Sequence, residues 1–144
     1  MSTIEPGLRL RSGEVSALLR SDAAHFVVVT SPRAEAVAES THLVEALRDR
    51  RFNFAGIVVN LIHPMPIALQ PDDAAVLDEL ADGPLADHVA WHEELTQLAT
   101  RERDELDGLV DLADDRTLVE LPLLDVDVHD LDGLAVLADR LAGR

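Results

Sequence analysis

Two stretches decide the fold: His25-Phe26-Val27-Val28-Val29-Thr30, followed at once by Ser31-Pro32, and Phe54-Ala55-Gly56-Ile57-Val58-Val59, closed by Asn60. Each is a short continuous apolar run rich in valine, the pattern of a strand buried on both faces. Between them Ala34, Val37, Ala38, Thr41, Val44 and Leu47 recur at helical spacing as far as Arg48-Asp49-Arg50-Arg51, with Ser31 placed to cap the helix and Pro32 to begin it. Strand, helix and strand of these lengths make a β-α-β unit, for which right-handed parallel pairing is expected.

Beyond Asn60 the text changes to Leu61-Ile62-His63-Pro64-Met65-Pro66-Ile67, where two prolines interrupt regular structure. This predicts a loop at the carboxyl end of the strand, where open parallel sheets line their ligand crevice. Residues 72–82 form a short helix candidate. Pro84 restarts a longer helix to about Leu112, with Leu85, Val89, His92, Leu95, Leu98 and Ala99 on one face and Glu93, Glu94, Arg101, Glu102, Arg103, Asp104 and Glu105 mostly on the other. Thr117-Leu118-Val119-Glu120-Leu121 is a third strand ended by Pro122, and residues 123–129 a loop. Asp130 then caps a final helix carrying Leu131, Leu134, Ala135, Leu137, Ala138 and Leu141. Residues 1–24 hold one weak helix, 15–20, with 1–13 expected to be flexible. The expectation is a single α/β domain over residues 1–144: part of a doubly wound, mostly parallel sheet with about three core strands and flanking helices. So narrow a sheet leaves edges to be covered.

The chain has 144 residues, 12 basic against 28 acidic, and a formal net charge of -16. A surface for nucleic acid or anionic lipid would have to be built against that field. Every basic residue is arginine, so there is no amine for a P-loop lysine, a Schiff base or a lysine general base. Cysteine is absent, which removes disulfides, thiol catalysis and thiolate zinc sites. No apolar run reaches membrane-spanning length and the N-terminus lacks a signal-peptide core, so the sequence reads as a soluble cytoplasmic protein with no direct membrane insertion.

Asn60 stands where parallel strands bind ligands, and its amide offers the donor and acceptor needed to read an adenine edge; it equally serves as a turn residue closing the strand. Thr30 and Ser31 hold the equivalent end of the first strand, where hydroxyls meet a phosphate or ribose, although capping alone accounts for Ser31. His88 and His92 have the spacing of a two-histidine metal pair but lack the glutamate of the H-E-x-x-H arrangement, which favours packed or exposed histidines. His63 and His129 each follow a strand, a weak sign of general-base chemistry. Asp125, Asp127, Asp130 and Asp132 lack the glycine and terminal glutamate of a calcium loop and read as a solvated acidic turn with helix caps. No G-x-G-x-x-G, P-loop or G-x-S-x-G motif occurs, so no catalytic residues are assigned and no metal site.

Taken together, Val27-Val28-Val29-Thr30-Ser31-Pro32, Gly56-Ile57-Val58-Val59-Asn60, His63-Pro64, Leu121-Pro122-Leu123-Leu124 and Val128-His129-Asp130-Leu131-Asp132-Gly133 resemble the C-terminal part of the anion-transporting ATPases. These are the arsenite-pump and tail-anchored-protein targeting ATPases, here of the actinobacterial type. The resemblance spans about residues 14–142, less than half of a typical member. It implies a P-loop NTPase-like fold, with Glu35 or Glu39 as the glutamate of the helix after the first strand. It further implies Asn60 as the residue that contacts adenine, and Pro122, Leu123 and Leu124 as one side of the base pocket. The family's phosphate-binding loop, switch regions and magnesium ligands lie in its other half. ATP is therefore the implied cofactor, with Mg reaching the site only through a partner chain. The targeting members' paired zinc cysteines are missing, and Leu61 stands where relatives commonly carry a polar or basic residue.

The expected function is a subunit or fragment contributing the adenine-recognition half of an ATP site. Hydrolysis would require a P-loop-containing ATPase partner, and the chain is not expected to hydrolyse ATP alone. The alternative is a non-catalytic interaction or regulatory module, or a gene remnant, that pairs with ATPase relatives or with itself through the sheet edge.

Overall fold

The computed structural model describes residues 4–67, 73–125 and 127–143. Elements run in the order α1 (Ile4–Leu19), β1 (Phe26–Thr30), α2 (Ala34–Asp49), β2 (Phe54–Ile62), α3 (Ala74–Ala81), α4 (Ala86–Ala113), β3 (Thr117–Pro122) and α5 (Leu131–Leu141). The architecture is α/β: a three-stranded sheet of order β1-β2-β3, both pairings parallel, flanked by helices. Helix α1 is longer than the segment 15–20 read from sequence and begins at Ile4.

Helices α2 and α4 cover one face of the sheet. Val28 of β1 and Ile57, Val59 and Ile62 of β2 meet Val37, Val44 and Leu47 of α2 and Leu106, Leu109 and Ala113 of α4 in one core. Val44, Val59 and Leu109 are fully buried, each such side chain contributing about 1.5–3 kcal/mol by leaving water. The far ends of the two helices are tied by Arg48, whose Nη2–H donates to the Leu112 carbonyl at 2.6 Å while its guanidinium lies over the Phe54 ring.

Helix α2 does not begin as its sequence suggests. Ser31 makes no capping bond and Pro32 is outside the helix; Arg33 is the N-cap, in extended conformation, and Glu35 in the first turn meets the helix dipole. At the other end Arg51, at φ 60°, takes the left-handed position of a Schellman motif. Its N–H donates to the Arg48 carbonyl and the Phe52 N–H to the Leu47 carbonyl, both at 2.9 Å.

The strands also depart from expectation in a way that shapes the site. Only β2 is buried through most of its length. In β1 Val28 enters the core, whereas Val27 and Val29 are 54% and 65% exposed on the opposite face, because no helix among the described residues covers the sheet there. By the same alternation Leu118 of β3 packs on the core, and Val119 and Leu121 face the other side, where α5 contacts β3. The second face is thus covered at β3 and open over β1. Strand β2 continues past Asn60 through Leu61 and Ile62, which the sequence reading placed in a loop. Leu61, at φ 64°, is the bulge, so that Asn60 pairs with Leu121 and Ile62 with Pro122. Pro122 is the last residue of β3, as its sequence suggests; β3 is an edge strand, and one further bond follows it, from the Leu123 N–H to the Ile62 carbonyl at 2.8 Å.

Candidate functional site at the carboxyl ends of the strands

The bulge at Leu61 builds the site. Asn60 ends the regular run of β2, and its Oδ1 accepts the Leu61 backbone N–H at 3.0 Å, a local bond that supports the left-handed turn. The amide Nδ2 has no partner among the described residues. Asn60 and Leu61 form the wall shared by two cavities. One, of about 330 Å³, is bounded by Thr30, Ser31, Glu39 and Ser40. The other, of about 240 Å³, is bounded by Pro122, Leu123, Leu124, Asp127, Val128 and Leu137. Asn60, Pro122, Leu123 and Leu124, separated by more than sixty positions in sequence, therefore line one space.

That space presents apolar walls with one free amide donor and a spare carbonyl lone pair, the composition of a site for a small flat heteroaromatic ring. Its size suits a ring and not a whole nucleotide. The adjoining cavity carries Glu39 and the smaller one Asp127, and no basic side chain lines either. The Thr30 hydroxyl is committed to the chain, lying 3.2 Å from the Ala36 carbonyl and 3.4 Å from that of Ser31, which ties the strand end to α2. With no basic side chain in their lining, these cavities do not fit a polyphosphate.

On the α4 side of the same rim lies a second polar arrangement. The Glu102 carboxylate accepts the backbone N–H of His63 at Oε2 and the ring Nδ1–H at Oε1, both at 2.7 Å. The neighbouring Arg103 donates from Nη1 to the His63 carbonyl at 3.2 Å and to that of Ala99 at 2.8 Å. The sequence reading set Glu102 on the polar face of its helix, but it is 8% exposed. Its position explains this: Ala99, Glu102, Leu106, Leu109 and Ala113 follow one another at three- and four-residue steps and are the buried residues of α4. That spacing was visible in the sequence as a charge standing in an apolar stripe.

The remaining candidates separate. His88 lines a shallow cavity with Asp87 and Trp91, whereas His92 donates from Nε2–H to the Ile67 carbonyl at 3.2 Å. Trp91 is 63% exposed and takes no part in the core. His129 donates from Nδ1–H to the Asp127 carbonyl, and Asp130 caps α5 by accepting the Gly133 N–H, each at 2.8 Å. Among the described residues no group of three or more metal-ligating side chains comes together, and no helix is long and apolar enough to cross a membrane. No protein-family model matches the chain, and no curated protein sequence matches it.

Proposed function

We propose that this chain supplies the adenine-recognition half of an ATP site within a P-loop NTPase-like, doubly wound assembly of the anion-transporting ATPase type. The observation that carries the reading is the convergence of Asn60 with Pro122, Leu123 and Leu124 on one cavity at the carboxyl ends of parallel strands. The Asn60 Nδ2–H donates to a ring nitrogen of adenine, its Oδ1 accepts the exocyclic amine, and the three residues after β3 hold the face of the ring. Phosphate binding, Mg and hydrolysis belong to a P-loop-bearing polypeptide outside these 144 residues, because the chain has no P-loop lysine and neither cavity is lined by a basic side chain, Glu39 standing in one of them.

The test is calorimetry of ATP and ADP with the chain alone and with a P-loop ATPase partner, using Asn60→Ala as control. Binding that appears with the partner and weakens about tenfold in Asn60→Ala, the loss of one to two hydrogen bonds, supports the reading. Binding indifferent to Asn60, or none in either state, removes it.

A second reading, a non-catalytic module that pairs with ATPase relatives, is favoured by the open face and free edge of β1 at Val27 and Val29. It requires partner binding that survives Asn60→Ala and is lost in Val29→Asp.

A further inference from the structure

The loop after β2, residues 63–67, lies along α4 and is tied to it at both ends. At one end Glu102 and Arg103 hold the N–H, ring Nδ1–H and carbonyl of His63. At the other, His92 holds the Ile67 carbonyl. His92 and Glu102 are ten positions apart, about 15 Å along a helix, so five loop residues span the distance only when nearly extended. Between this strap and the helix lies an open cavity of about 370 Å³, lined by Met65, Pro66 and Ile67 of the loop and by His92, Glu93, Thr96 and Gln97 of α4, with Ile67 exposed at its rim. That volume lies within the range of small-molecule sites, and a loop hydrogen-bonded at both ends before binding costs less to order than a free one.

The polar groups of the cavity indicate the ligand's charge. His92 is engaged with Ile67, and the Thr96 hydroxyl donates to the His92 carbonyl at 2.8 Å. Glu93 is exposed at the cavity and has no ion-pair partner among the described residues. In a chain of net charge -16 the field at this mouth attracts cations and repels anions.

We propose that this open cavity beside the strap binds a small amphiphilic cation, its apolar body against Met65 and Pro66 and its ammonium-type head at Glu93. The site is separate from the adenine cavity and does not depend on it.

Octylammonium, octanol and octanoate share one tail and differ in head charge, which makes them the probes. The chain has two methionines, so the Met65 methyl carbon resonance reports binding directly. Octylammonium is expected to shift it saturably with about fivefold higher affinity than octanol, the strength of an exposed ion pair, and octanoate to bind weakest. Glu93→Gln should erase the advantage of the ammonium and leave octanol unchanged. Gln97→Trp, at an exposed position lining the same cavity, should abolish the shift for both. Octanoate binding as well as octylammonium, the absence of a saturable shift, a shift that persists in Gln97→Trp, or a change throughout the amide spectrum would each overturn the proposal.

Discussion

Glu102 of α4 accepts two hydrogen bonds from His63, one from its backbone N–H and one from its ring, each 2.7 Å long. A single buried carboxylate thus holds the first residue after β2 by its backbone and calls for hydrogen on Nδ1 of its imidazole. Glu102→Ala leaves both donors without that acceptor and is expected to lower stability by about 2 kcal/mol in urea unfolding. Glu102→Gln keeps the backbone bond and can donate from its amide to Nδ1 if the ring changes tautomer, so its cost should be below about 1 kcal/mol. Nitrogen-15 spectra of the His63 ring should show hydrogen on Nδ1 in the parent and on Nε2 in Glu102→Gln. An unchanged tautomer would show that the pair does not set it.

Arg51 occupies the left-handed position that closes α2. A side chain there costs about 1–2 kcal/mol, part of which glycine recovers. Arg51→Gly should raise stability by about 0.5–1 kcal/mol, and Arg51→Val should lower it by at least as much, both read as shifts in the urea midpoint at constant slope.

Gly56 is required by the approach of β3. A Cβ at this position would fall onto the Thr117 backbone carbonyl oxygen, which is part of the paired strand and has no free end to yield. Gly56→Ala should therefore cost more than about 3 kcal/mol or prevent β3 from pairing, whereas Gly108→Ala on α4, where nothing lies within 4 Å, should stabilise by up to about 1 kcal/mol. Parallel hydrogen-exchange measurements would locate the Gly56→Ala loss in β3.

Asp130 fixes the start of α5 by accepting the Gly133 N–H. Asp130→Ala should cost about 1 kcal/mol. Because Leu137 of α5 closes the cavity shared by Asn60 and Pro122, the loss should appear as faster amide exchange across α5 and, with a P-loop partner present, as weaker nucleotide binding without any change at Asn60.

Much of this fold was legible locally. The valine run of β1, the apolar steps of α2 and Asp130 as a cap are all short-range signals that the structure keeps, whereas on α4 the helix stands where expected but only Ala99 of the apolar face read from sequence is among its buried residues. The readings that failed concern what lies across space. An apolar run reports that a strand tolerates burial, not how many layers cover it, which is why Val27 and Val29 read as core and stand exposed. Leu61-Ile62 read as loop because the prolines follow closely, yet pairing with Pro122 and Leu123 draws the strand onward.

The amino-acid sequence by itself determined the number, type and order of the main elements, since periodicity and turn chemistry act within a few residues. It also determined that no lysine or cysteine chemistry occurs here. The tertiary structure alone decided that Asn60 meets Pro122, Leu123 and Leu124 on one cavity, that Glu102 turns inward to hold His63, and that the β1 face is left uncovered. Those relationships are set by sheet register and by the packing of α4 and α5, and each joins residues far apart in the chain.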